Sequence, residues 1–254
     1  MWGRCGVSVI IKLPKLDIPV KRVEPVLVDV DKLVPHEEIV TKRLEDVKKM
    51  IIDLNAVDMP VIVAPIPGTD KYLIVDGHHR WAALKDLGYR KVPAIIVDYF
   101  DPSIKLETWY PAIIGEIEEF LREASGELEI VETSITPEEA VEKLEEGGIA
   151  FIILSRNGKA WIIKGGIEEQ KKVSKILNKL NIEGKIKLAY YGLREEALQD
   201  LEKGEINYLF LRKPPTKQEV IEIARQGKVY SPKTTRHILP YIPAKTNTPL
   251  NQLK

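Results

Sequence analysis

The 254 residues contain one cysteine, Cys5, only four histidines and no long apolar run. One cysteine excludes a disulfide framework within the chain and points to a reducing compartment. The apolar run near the start is short and stops at Lys12, so it does not make a secretory signal. No stretch approaches the roughly 18 apolar residues of a membrane span. These absences predict a cytoplasmic protein with no membrane partner. Positive and negative side chains balance to a formal net charge of zero, which removes any global pull toward nucleic acid or anionic lipid. Hydrophobic residues at 44% and charged residues at 30% describe a folded, globular chain.

Periodicity divides the chain into two α/β halves. In the first, strands are expected over 25–30, 60–66, 71–76 and 92–100. An amphipathic helix covers 41–54, and a short helix over 79–88 stops at Gly88. In the second, a hairpin over 149–154 and 160–164 and strands over 185–191 and 206–211 alternate with helices over 136–148, 167–180, 193–204 and 216–227. Thr136 with Glu139, and Thr216 with Glu219, have capping-box spacing. The expected division is 1–115 and 116–254.

The segment "DGHHR", Asp76 to Arg80, stands where a strand becomes a helix. A helix start has unpaired N–H groups and partial positive charge, and so attracts anions. Helices of the second half fill their first turns with acids such as Glu138, Glu139, Glu168 and Glu169. This one begins with His78, His79 and Arg80. Gly77 permits close approach of a ligand to the backbone, and Arg80 carries a guanidinium suited to phosphate. A plain surface turn capped by Asp76 is the simpler alternative. Adjacent histidines on a helix point about 100° apart, which disfavours zinc; Mg²⁺ held partly by Asp76 and partly by substrate phosphates stays open. In "LVPHEEIV", Glu37 is placed either to favour the following helix or to accept a proton from a hydroxyl. Trp109, in "ETWYPA", is a packing residue or the wall of a small pocket. After Glu222 no acid appears, and Lys233, Thr234, Thr235, Arg236 and His237 form a local set of cations and hydroxyls suited to phosphate or carboxylate. The alternative there is a solvated basic tail.

Together "VPHE", "YLIVDGHHRWAAL", "TWYPA", "GGIEEQKKVSK", "YYGL" and "SPKTTRH" resemble the archaeal free L-serine kinases over nearly the full length. The first half resembles the ParB/sulfiredoxin-like fold. The resemblance implies an α/β (α+β) protein with a ParB/sulfiredoxin-like N-terminal domain, a second mixed α/β domain and an active site in the cleft between them. It implies phosphoryl transfer from ATP or ADP, with a divalent metal such as Mg²⁺, to the hydroxyl of free L-serine, giving the cysteine precursor O-phospho-L-serine. By the same resemblance Glu37 is the base, and Asp76 and His79 join it in catalysis, with Asp76 also at the metal. Gly77, His78, His79 and Arg80 surround the phosphate. Trp109, Lys233, Thr234, Thr235, Arg236 and His237 bind serine or its product. Sulfiredoxin chemistry is excluded, because its cysteine is missing beside the histidine–arginine pair. A ParB-like, nucleotide-dependent DNA-binding or regulatory protein without turnover is the rival from another class. The acid-rich helices and zero net charge argue against nucleic acid.

Overall fold

The computed structural model describes residues 9–254, so Cys5 and most of the "MWGRCGVSV" segment lie outside the described residues. Contacts gather the chain into two compact units. One combines the segment ending at Lys15 with Thr108–Pro214; the other combines Leu16–Glu107 with Pro215–Lys254. This differs from the expected division at 115/116. The last segment, with its SPKTTRH motif, folds with the first half, because Arg236–Ile238 pairs antiparallel with Lys105–Glu107.

The Leu16–Glu107 unit is built on a mixed five-stranded sheet. Its strands are β1 (Val26–Asp29), β2 (Leu33–Val34), β3 (Val61–Pro65), β4 (Tyr72–Asp76) and β5 (Lys91–Ile96), in the order β1-β5-β3-β4-β2. β3 and β4 are antiparallel across the turn at 67–70. α1 (Thr41–Leu54) and α2 (His78–Asp86) contribute to the core beneath the sheet. Ile51, Val63, Ile74, Ala83 and Leu84 are fully buried there. α1 coincides with its expected span because its apolar positions recur at helical spacing. The Trp81 indole donates to the Val30 carbonyl at 2.9 Å and ties α2 to the sheet. A small pair, β6 (Lys105–Glu107) and β7 (Arg236–Ile238), and α3 (Lys217–Arg225) complete the unit. α3 carries the expected Thr216–Glu219 capping box.

The Thr108–Pro214 unit holds a seven-stranded sheet. Its order is Ile10–Lys12, Lys187–Tyr191, Tyr110–Ile114, Tyr208–Leu211, Ile149–Ser155, Lys159–Lys164 and Ile130–Ser134. The expected hairpin around "SRNGK" is present as the antiparallel pair Ile149–Ser155 and Lys159–Lys164. Two apolar layers flank the sheet. In one of them Phe120, Phe151 and Phe210 meet edge to face, a geometry the ring quadrupoles favour. The strand Tyr110–Ile114 was not among the expected elements, although Pro111 favours an extended Tyr110 before it. The registers show how it is accommodated: Pro111 pairs with Tyr190 on one side, and pairing on the other side is at Ala112 and Ile113.

Candidate active site

β4 ends at Asp76, and Gly77 turns the chain into α2 with φ of 95°. That angle suits glycine alone, and a Cβ here would also lie 2.9 Å from Val61 Cγ1. α2 has no side-chain cap and no acid in its first turn. Arg80 stabilises the turn from beneath. Its Nη2 donates to Asp76 Oδ2 at 2.6 Å, and its Nη1 to the carbonyls of Met59 and Pro60 at 3.1 Å each. The guanidinium expected to grip phosphate is thus engaged with Asp76 and with the two carbonyls just before β3. The His79 Nε2 accepts the Val40 N–H at 3.1 Å, at the start of α1, which likewise lacks a side-chain cap of its own.

His36 is fully buried at the centre of the site. Its ring stands 4.5 Å from that of His78 and 5.3 Å from that of His237, both edge to face. His36 Nδ1 is 3.2 Å from His78 Nε2, and His36 Nε2 is 2.9 Å from Thr235 Oγ1. His78 Nε2 also lies 3.4 Å from the His36 main-chain nitrogen. His237 Nε2 meets the Tyr99 hydroxyl at 2.8 Å. Burial, reinforced by the His78 and His237 rings, holds His36 well below the usual imidazole range. Burial lowers His78 to about 4 against the upward pull of Asp76. Burial, with Arg43 and Lys233 adding to it, lowers His79 to about 4. Burial takes His237 to about 3 and pushes the Tyr99 phenol up. All four imidazoles are therefore neutral at pH 7 and act as hydrogen-bonding groups.

Glu37 follows His36 and reaches into the loop before β7. The loop is fixed to this segment by main-chain bonds, Tyr230 N–H to the His36 carbonyl at 2.8 Å and Glu38 N–H to the Tyr230 carbonyl at 2.9 Å. Lys233 has φ of 62°, a left-handed conformation that turns successive N–H groups toward one point. The Glu37 carboxylate sits at that point. Its Oε1 accepts from Thr234 N–H at 3.1 Å, Thr235 N–H at 2.6 Å and the Thr235 hydroxyl at 2.6 Å; its Oε2 accepts from Lys233 N–H at 3.3 Å. Thr234 and Ser231 brace the loop internally, the Thr234 hydroxyl donating to the Ser231 carbonyl at 2.8 Å. Arg236 is buried at the start of β7.

Thus the fold brings Glu37, His78, Thr235 and His237 around His36, and it connects Asp76, Gly77 and Arg80 through the turn that begins α2. Trp109 belongs to the other unit, where it packs partly buried against the phenylalanine layer. His36 and Tyr99 had no assigned part in the sequence reading. The scarcity of histidine was the available signal for His36; Tyr99 had none. Among the described residues no group of three or more His, Cys, Asp or Glu side chains is arranged to hold a metal ion. Asp76 offers a single carboxylate, its side chain 58% exposed. That fits a cation such as Mg²⁺, which keeps several waters and takes its other oxygens from phosphates.

Comparison with known proteins agrees with the two units. Residues 16–107 match the ParB N-terminal domain, and residues 108–212 match the C-terminal domain of the L-serine kinase SerK. An ATP-dependent L-serine kinase of Staphylothermus marinus is 63% identical, over 97% of this chain and 98% of its own length. An ADP-dependent L-serine kinase of Thermococcus kodakarensis is 49% identical, over 95% and 98%. A solved structure of a free serine kinase in complex with AMP superposes with a TM-score of 0.90 at 48% identity, covering 96% of this chain and all of that one.

Proposed function

The chain belongs to the L-serine kinase family, and from that membership we propose that it transfers a phosphoryl group from an adenine nucleotide to the hydroxyl of free L-serine. The product is O-phospho-L-serine, a precursor for cysteine. ATP is the donor favoured by the 63% identical relative, and ADP the alternative carried by the 49% identical one. The lone cysteine supports a reducing, cytoplasmic setting.

The observation that carries this reading is one continuous contact. Glu37, a carboxylate able to accept a proton, follows His36, whose ring touches His78 in the first turn of α2. A proton acceptor and an acid-free helix start, with its unpaired N–H groups, are thereby held together in one unit. In the reaction the serine O–H bond breaks and its proton passes to Glu37. The oxygen's electron pair forms the new P–O bond, and the bond to the nucleotide breaks with its pair leaving on the nucleotide. Little covalent work falls to the protein; positioning and charge stabilisation dominate. The main-chain N–H groups at the start of α2 and Gly77 receive phosphate oxygens. Neutral His78 and His79 offer hydrogen bonds there without adding charge. A divalent cation entering with the nucleotide would neutralise phosphate charge, with Asp76 as its protein ligand. Thr234, Thr235, Arg236 and His237 orient serine or phosphoserine, and Lys233 completes that assignment.

The test is phosphorus NMR of the protein with Mg²⁺ and L-serine, with ATP in one sample and ADP in another. Formation of phosphoserine is expected with one donor at least. Nucleotide hydrolysis without phosphoserine would refute serine as acceptor. Nucleotide binding without turnover would favour the ParB-like regulatory alternative.

A further inference from the structure

The hydrogen-bond geometry around Thr235 fixes the direction of its two side-chain hydrogen bonds. The Thr235 hydroxyl has one hydrogen and two close neighbours, Glu37 Oε1 at 2.6 Å and His36 Nε2 at 2.9 Å. An ionised carboxylate has no proton to give, so the Thr235 hydrogen must point to Oε1. The Thr234 and Thr235 N–H groups also converge on Oε1 and keep it an acceptor. The Thr235 oxygen then faces His36 Nε2 with a lone pair, and that nitrogen must carry the hydrogen. On the other side of the ring, Nδ1 lies 3.2 Å from His78 Nε2, and that nitrogen accepts the His36 main-chain N–H at 3.4 Å.

We propose that His36 is a positioning residue for Glu37: its Nε2–H holds the Thr235 hydroxyl on Glu37 Oε1, so that proton acceptance falls to Oε2. His36 and Thr235 themselves neither gain nor lose a proton when serine reacts. The serine proton ends on Oε2, and the donors aligned toward Oε1 fix the carboxylate plane. Aligned donors of this kind reinforce one another in a buried setting. The role assigned to Oε2 rests on the reading of Glu37 as the base; the tautomer of His36 does not.

The first test is nitrogen-15 NMR of the protein labelled at histidine. With four histidines, the His36 ring is assigned by its absence from the spectrum of a His36→Gln variant. The expected result is a protonated Nε2. The Ile74 carbonyl is a competing acceptor for the ring, and a bare Nε2 would overturn the proposal. The second test is kinetic. A glutamine amide can supply a donor near the Nε2 position, whereas leucine cannot. His36→Leu is expected to lower kcat by about 10- to 100-fold with KM for serine and nucleotide within about threefold, and His36→Gln to recover most of it. Equal kcat in wild type and His36→Leu, or no recovery with Gln, would overturn the assignment. Should His36→Leu fail to fold, Thr235→Ser and Thr235→Val probe the same bond from its other end, with activity expected only for Ser. Glu37→Gln separates the two readings. Retained turnover there defeats Glu37 as the base but leaves the His36 tautomer as expected, because the amide oxygen replaces Oε1. A dead Glu37→Gln variant with His36 protonated on Nδ1 defeats the positioning role alone.

Discussion

The two units differ in how most of their helices start. In the Thr108–Pro214 unit the helices Glu118–Ala124, Pro137–Glu145, Ile167–Ile182 and Arg194–Lys203 each carry two acids in the first turn. In the Leu16–Glu107 unit α1 and α2 carry none, α3 has a single acid, Glu219 of its capping box, and all four histidines of the chain are here. Acids stabilise a helix start and repel an arriving phosphate. A helix start satisfied by its own carboxylates serves packing. One left to neutral imidazoles, as in α1 and α2, stays compatible with an anion.

The largest test of this contrast is Glu37→Gln, which removes the acceptor while keeping its shape. The phosphoserine rate should fall by about 10²–10⁴-fold with the thermal transition nearly unchanged, read by phosphorus NMR and calorimetry. Next, His79→Glu gives α2 the acidic first turn of the other unit. Nucleotide KM should rise by roughly tenfold, and an unchanged KM would break the comparison. Third is pH. In the folded protein His78 and His79 titrate near 4 and His237 near 3, against the ordinary value of 6.5. As pH falls below about 6.5 the unfolded chain takes up protons that the native one refuses, so stability falls with acid until the folded values are reached. Between pH 7 and pH 5, above the carboxylate range, unfolding by denaturant should show this loss. A His237→Asn variant should lose less than the wild type over the same range.

Glycine substitution gives a smaller effect. Gly77 and Gly158 both have positive φ, 95° and 80°, but a Cβ meets Val61 at the first and nothing within 4 Å at the second. Gly77→Ala should cost about 2–3 kcal/mol and Gly158→Ala about 1 kcal/mol by chemical denaturation. Smallest are the caps, one in each unit. Thr136→Ala and Thr216→Ala should each cost about 1 kcal/mol, with no change in turnover.

Local patterns were readable where local forces decide them. α1, both capping boxes and the hairpin around residues 155–159 follow from periodicity and turn chemistry. The acid-free start of α2 was visible by contrast with its neighbours. What was not visible depends on distant pairing. No local signal shows that Arg236 would lie opposite Glu107, or that Thr235 would reach the residue next to His36. Arg80 was read as a phosphate clamp because its donors are obvious in sequence, whereas the carbonyls of Met59 and Pro60 that receive them are not. The strand at Tyr110–Ile114 carries no local alternation to mark it, and its pairing with Lys187–Tyr191 and Tyr208–Leu211 is long-range.

The interrupted layout of the histidine unit has a consequence for biosynthesis. The bond from Thr235 N–H to Glu37 joins positions 198 residues apart. On the ribosome, Glu37 and His36 emerge long before their loop partners, with the whole of Thr108–Pro214 translated in between. Contacts of such long range form slowly, since the intervening chain must close before they stabilise anything. A nascent chain therefore cannot assemble the Glu37 cluster piecemeal. Kinase competence arrives as a late, all-at-once event, after the other unit has had time to fold.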